Sequence, residues 1–178
     1  MNRNDWLKTA KEILGDVNIA VEVGVWRGDY SRFINEYLAP QQFYGVDPYV
    51  QYNDYPDGDD FADQASLDRL HDATLLRYNS WGASLLRSTS VDAASQFEDG
   101  TLDFVYLDGD HVYEGVKADI AAWWPKIRAG GILSGHDYCN VDPSKNFGVI
   151  PAVNELVSAH NLTLGVTADL YPNWWVVK

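Results

Sequence analysis

The run Phe104-Val105-Tyr106-Leu107 leads straight into Asp108-Gly109-Asp110-His111. An apolar run of this length reads as a buried strand, and here it ends in two carboxylates and an imidazole. Those groups can move protons near neutral pH or hold a cation. A second apolar run, Gly131–Gly135, ends in His136-Asp137. Crowding Asp108, His111, His136 and Asp137 at neighbouring strand ends costs free energy, and such clusters concentrate at functional sites. Asp110 reads as a solvated helix start.

Three further strand ends carry polar residues. Glu22 sits inside Val21-Glu22-Val23, followed by Gly24 and then Gly28 before a helical pattern. Such glycines let backbone approach a ligand, and the helix start offers unpaired N–H groups. Neither G-x-G-x-x-G nor G-x-x-x-x-G-K-[ST] is present, so no phosphate cradle is expected. A buried glutamate without that cradle points to a positively charged ligand. Asp47 follows 25 residues after Glu22, at the tip of the next strand, where an acid can accept both hydroxyls of a ribose. Ser80 and Trp81, after a third expected strand, are placed to frame a flat ring.

The positioning elements follow from alternating apolar runs and amphipathic stretches, the pattern of βαβ units. Strands are expected at Ile19–Val23, Gln42–Val46, Thr74–Tyr78, Leu102–Leu107, Gly131–Gly135, Thr163–Thr167 and Trp174–Val177. Helices are expected at Asp5–Leu14, from Asp29 to Pro40, at Asp60–His71, at Val91–Phe97, from Val116 through Ile127 to the stop at Gly130-Gly131, and at Pro151–His160. Only Ala168-Asp-Leu-Tyr-Pro-Asn173 joins the last two strands, too short for a parallel crossover, so they should form an antiparallel hairpin. The expected fold is a single α/β domain over 1–178. It is a doubly wound, Rossmann-like, seven-stranded sheet, mostly parallel, with a C-terminal hairpin and helices on both faces. Ligands of such sheets bind beyond the carboxyl ends of the strands.

Composition narrows the partners. The net charge of −13 repels phosphate backbones and anionic membrane surfaces, so neither nucleic acid nor a membrane is expected as partner. The single Cys139 allows no intrachain disulfide and fits a reducing compartment. The opening residues lack the apolar core of a signal peptide, and no run of ~18 apolar residues could span a bilayer. A cytoplasmic location is therefore expected. Asn161-Leu162-Thr163 matches a glycosylation sequon and reads as chance. A homodimer face is expected if Trp123–Trp124 or Trp174–Trp175 prove exposed.

"VEVGVWRGDYS", "FYGVD", "LDFVYLDGDH" and "GGILSGHDY", in this order and spacing, resemble the class I S-adenosylmethionine-dependent methyltransferases. The resemblance runs from about Ile13 to Lys178. It is closest to small-molecule O-methyltransferases, among them the metal-dependent catechol-type and macrolide-sugar enzymes. It implies that Glu22, Gly24 and Gly28 surround the methionine part of the cofactor, with Ser31 reaching the same moiety. It implies Asp47 on the ribose and Ser80 and Trp81 on the adenine side. Asp108 matches an acid next to both cofactor and metal, His136 and Asp137 complete the metal site, and His111 stands where relatives carry a general base.

Methyl transfer from a sulfonium needs the acceptor oxygen close in line and at least partly deprotonated. A base, a divalent cation, or both would supply that, and aromatic faces such as Trp26 and Trp81 can stabilise the cationic cofactor. His136 replaces an oxygen ligand of the catechol-type site, which either favours manganese or iron over magnesium or sets His136 behind the direct metal ligands. The N-terminal lid helices of many relatives are not matched. The Asp47–Phe61 stretch, with Tyr49, Tyr52 and Tyr55, is expected to cover a small sugar or phenol-like acceptor, and "CNVDPSKNFG" is a second candidate wall. A non-catalytic cofactor-binding module is the alternative of a different class. A nicotinamide oxidoreductase is disfavoured by the missing G-x-G-x-x-G and the terminal hairpin.

Overall fold

The computed structural model describes residues 1–3, 5–51, 63–140 and 148–178. The chain opens with α1 (Asp5–Leu14). It continues through β1 (Ile19–Val23), α2 (Asp29–Leu38), β2 (Gln42–Val46), α3 (Gln64–Ser80), β3 (Ser84–Leu86), α4 (Ser90–Ala94) and β4 (Leu102–Leu107). It then forms α5 (Tyr113–Trp123), a short 3-10 turn at 124–126, β5 (Ile127–Gly135), α6 (Val149–His160), β6 (Gly165–Val166) and β7 (Trp174–Val177). The seven strands lie in the order β3-β2-β1-β4-β5-β7-β6. The first five are parallel, and β7 runs antiparallel to both β5 and β6.

Strand residues alternate between two apolar layers, as a pleated strand buried on both faces requires. Phe104 and Tyr106 face Trp6 and Leu7 of α1, Ile34 of α2 and Tyr78 of α3. Val105 and Leu107 face Ile120 and Trp123 of α5 and Val153 of α6. Each such fully buried side chain contributes about 1.5–3 kcal/mol. The register aligns the strand tips: Val23 pairs with Val46 and with Leu107, and Leu107 pairs with Gly135. Gly24, Asp47, Asp108 and His136 therefore leave the sheet side by side. The strand order reverses between β1 and β4, where an open α/β sheet leaves a crevice.

Three expectations need correction. Thr74–Tyr78 is not a strand; it is the last part of α3, where Leu67, Thr74 and Tyr78 share the buried side at helical spacing. The strand that follows is Ser84–Leu86, three residues long. The helix expected through Ile127 stops at Trp123, because Pro125 has no N–H to continue the ladder, and Ile127 already opens β5. α6 begins at Val149, with Pro151 inside its first turn. The expected start of the third helix at Asp60 falls outside the described residues.

Trp123 and Trp174 are core residues, while Trp124 and Trp175 are partly buried against the two layers. Trp175 stacks on Trp6 with ring centroids 4.6 Å apart. None of the four is an exposed residue. No helix among the described residues is long and apolar enough to cross a membrane.

Candidate active site

A cavity of about 800 Å³ opens at the aligned strand tips, within the range of small-molecule and cofactor sites. Its lining includes Glu22, Gly24, Asp47, Asp108 and His111. Four of the sequence-predicted acids and bases thus reach one pocket.

Glu22 is on the α2 side of β1 and is 1% exposed. The Ser31 hydroxyl of α2 donates to its carboxyl, and the Tyr78 hydroxyl of α3 lies 3.2 Å from Oε2 and 2.8 Å from Ser31 Oγ. Burial lifts the Glu22 carboxyl to about 8; negative Asp108 adds to the rise, and the Ser31 and Tyr78 bonds and the Arg3 charge oppose it. Ser31 itself is fully buried behind Glu22 and does not line the cavity. It anchors the acid. Tyr78 escaped the sequence reading. Its signal was Gly45 in the middle of β2: a Cβ there would stand 2.3 Å from the Tyr78 hydroxyl.

Gly24 has φ +83, and a Cβ on it would fall 2.0 Å from the carbonyl oxygen of Asp108. Its glycine is demanded by the neighbouring strand tip. Gly28, at φ +74, precedes α2 and lies outside the cavity lining. Between them Trp26 holds φ +49, and its N–H donates to Asp47 Oδ2 at 2.9 Å. Asp47 Oδ1 accepts the Tyr49 N–H at 2.9 Å, and burial pushes the Asp47 carboxyl up. Both oxygens keep lone pairs for further donors. Tyr49 also has positive φ, and its hydroxyl donates to the Trp26 carbonyl at 2.8 Å, which ties the two turns together. Of the aromatic lid residues, Tyr49 is buried and lines the cavity, whereas Tyr52 and Tyr55 lie outside the described residues. So does most of the "CNVDPSKNFG" wall.

Ser80 and Trp81 are not at the cavity. They cap the carboxyl end of α3 and precede β3, on the opposite edge of the sheet, where the Ser80 hydroxyl donates to Arg77 O. Thr89, Ser90 and Val91, which follow β3, line the cavity in their place.

At the tips of β4 and β5 the four titratable groups meet. His111 Nε2 lies 3.0 Å from Asp137 Oδ2 and 3.5 Å from Asp108 Oδ1. His136 Nδ1 lies at the same distances from the same two oxygens. Asp137 holds φ +58 to make this approach; backbone strain of this kind, about 1–3 kcal/mol per residue, clusters at functional sites. Burial alone would lower the His111 imidazole, but its bonds to Asp108 and Asp137 and their charges lift it to about 10. Burial would raise the Asp137 carboxyl, yet the two histidines hold it well below the usual range. Donor atoms of Asp108, His111 and Asp137 lie within 4.8 Å of one another, close enough to share one metal ion. His111 thus belongs to the same knot as the expected ligands Asp108, His136 and Asp137.

Arg3 was not foreseen. Its guanidinium donates to Asp108 Oδ2 and to the Tyr106 hydroxyl, both at 3.0 Å, and lies 3.9 Å over the Tyr30 ring. The Met1 carbonyl accepts the Ala168 N–H at 3.0 Å, which docks the segment carrying Arg3. Asp108 therefore serves a cation on one oxygen and two imidazoles on the other. Arg3 is remote in sequence from every motif, and no local pattern marks it.

A Rossmann-like sheet of this strand order, with acids at the tips of β1, β2 and β4 around one cavity, defines a class I methyltransferase. The model of the family described as "Methyltransferase domain" matches residues 21–138, and the chain belongs to that family. The uncharacterized protein y4gI of Sinorhizobium fredii is 40% identical over 53 residues, 30% of this chain and 6% of that protein's length. A putative caffeoyl-CoA O-methyltransferase from Staphylococcus aureus shares the fold with TM-score 0.69 at 11% identity, over 100% of this chain and 85% of that one. N-methyltransferase NodS from Bradyrhizobium japonicum follows with TM-score 0.67 at 14% identity, over 99% and 94%. An O-methyltransferase from Bacillus cereus, solved with S-adenosylhomocysteine, has TM-score 0.63 at 15% identity, over 99% and 80%.

Proposed function

We propose that this methyltransferase moves a methyl group from S-adenosylmethionine to a hydroxyl of a small sugar- or phenol-like acceptor. The observation that carries the reading is the meeting of Asp108, His111, His136 and Asp137 beside the cavity that also holds Glu22 and Asp47. Asp47 accepts the ribose hydroxyls, and Glu22 and Asp108 supply negative charge to the cationic methionyl end.

The acceptor hydroxyl gives its proton to His111 Nε2 as its oxygen bonds the methyl carbon and the carbon–sulfur bond breaks. The products are the methyl ether, S-adenosylhomocysteine and a protonated His111. Asp108 and Asp137 favour the imidazolium form of His111. His111 acts as a base only once other positive charge shares Asp108 and Asp137 and the imidazolium proton has left to solvent, so proton release is coupled to loading of the site. Asp108, Asp137 and His136 are chemically suited to a divalent ion such as manganese or iron, with His111 as base or as an added ligand. Such an ion would lower the hydroxyl pKa and fix its direction.

The test uses radiolabelled S-adenosylmethionine with a panel of sugars, catechols and simple amines, with and without chelator and added manganese. Label transfer to hydroxyl acceptors, lost on chelation and restored by metal, is the expected result. Transfer to amines alone would overturn O-methylation. Transfer indifferent to chelator would overturn the metal.

A further inference from the structure

Among the described residues, the cation that reaches Asp108 from outside the knot of histidines is Arg3, and the chemistry proposed above does not use it. A closed ring of hydrogen bonds holds it. Arg3 Nη2 donates to the Tyr106 hydroxyl at 3.0 Å, and that hydroxyl donates to Asn173 Oδ1 at 2.8 Å. Asn173 Nδ2 donates to the Tyr30 hydroxyl at 3.2 Å, which returns to the Arg3 carbonyl at 3.2 Å. Each hydroxyl accepts one bond and donates one, so the proton directions agree all the way round.

Tyr106 and Asn173 are fully buried, and the guanidinium lies over the Tyr30 ring. Asn173 is fixed in turn at the mouth of the β6–β7 hairpin. Its N–H donates to Thr167 Oγ1 and its carbonyl accepts the Thr167 N–H, both at 2.9 Å. The ring therefore joins the segment before α1, the first turn of α2, β4 and the hairpin. A satisfied polar network of this kind fixes one geometry. The Arg3 side chain is thus held in place, unlike a surface arginine.

What the ring fixes is how Asp108 is shared. Arg3 takes Oδ2 at 3.0 Å, and Oδ1 faces His111 and His136, each at 3.5 Å. The knot with His111 and Asp137 therefore receives one oxygen of Asp108 and only part of its charge. A free carboxylate can hold a divalent ion through both oxygens. We infer that Arg3 is a positioning residue of the metal site: it keeps Asp108 a one-oxygen ligand and holds down the affinity for a divalent ion. This rests on the metal reading of the knot given under Proposed function. Arginine suits the task because it stays charged and its planar group both stacks and donates. The sign of the effect separates this role from plain support. An arginine that only props up the site would weaken ion binding when removed, whereas a built-in competing charge strengthens it.

Titration of the whole chain with manganese alone, read by the electron paramagnetic resonance of the free ion, tests it without turnover. Arg3→Gln should bind the ion about tenfold more tightly than the wild-type protein, because losing a positive charge and freeing Oδ2 both favour it. Arg3→Lys, which keeps the charge, should stay near the wild-type affinity. Adding Asp137→Asn to Arg3→Gln should abolish the gain, which locates it at the knot rather than elsewhere on an acidic surface. Unchanged or weaker binding in Arg3→Gln, or a gain that survives Asp137→Asn, would overturn the assignment. If neither the wild-type chain nor Arg3→Gln takes up manganese, the metal reading falls together with this one. That result is distinct from manganese uptake that ignores Arg3.

Discussion

β4 carries an aspartate at each end, and the two have opposite tasks. Asp103, at the amino end, is 1% exposed; its Oδ2 accepts the N–H groups of Asn18 and Ile19 at 2.8 Å, and its Oδ1 accepts Arg128 Nε at 2.6 Å. Every partner belongs to the scaffold, and the carboxylate pins the entry to β1 and the start of β5. Asp108, just past the carboxyl end, is more open and touches Arg3, His111 and His136. Its partners can exchange charge or protons, and it lines the cavity. A saturated buried acid builds structure; an acid whose neighbours are titratable is available for chemistry.

The sharpest way to break this contrast is at the chemical end. If His111 is the acceptor's base as proposed, His111→Ala should lower turnover by about 10²–10⁴-fold and leave S-adenosylhomocysteine affinity almost unchanged. Steady-state rates with a calorimetric control measure both. A variant with full turnover would remove His111 as base and leave it to ligation or structure.

The scaffold end should answer in stability instead. Asp103→Asn keeps the size but removes the charge that Arg128 and two N–H groups at the entry to β1 share. A loss of about 2–4 kcal/mol is expected in urea unfolding, below the full cost of breaking a buried pair because Arg128 is a third exposed. Turnover per folded molecule should be preserved. If Asp103→Asn were neutral in stability while slowing catalysis, the division of labour along β4 would be wrong.

The same contrast governs what was legible beforehand. β1, β2, β4 and β7 stand out in the sequence because strands buried on both faces are continuous apolar runs, and Glu22, Asp47 and Asp108 stand out as charges at their ends. β3 is short and half exposed, so the apolar Thr74-Leu75-Leu76 imitated it from within α3, and Ser80 and Trp81 were misplaced with it. Periodicity cannot separate such a run from a strand. Arg3 and Tyr78 reach the site across long sequence separations. Only Gly45 betrayed one of them, by making room for Tyr78.

Between the two extremes lies Glu22, saturated by scaffold hydroxyls yet lining the cavity, and its titration offers the finest test. Its folded carboxyl, near 8, exceeds the ordinary value of 4.5. The native protein therefore keeps a proton that the unfolded chain releases, so this contribution to stability is complete below about pH 4.5 and fades as pH rises toward 8. Binding of a cationic donor favours the ionised form and should run the other way. Affinity for S-adenosylmethionine should rise about tenfold between pH 6.5 and 8, as the ionised fraction grows, and the rise should be weaker for uncharged-sulfur S-adenosylhomocysteine. Glu22→Gln should flatten the difference between the two ligands. Equal pH slopes for both in the wild-type protein would mean that Glu22 feels the scaffold alone and belongs with Asp103 rather than with Asp108.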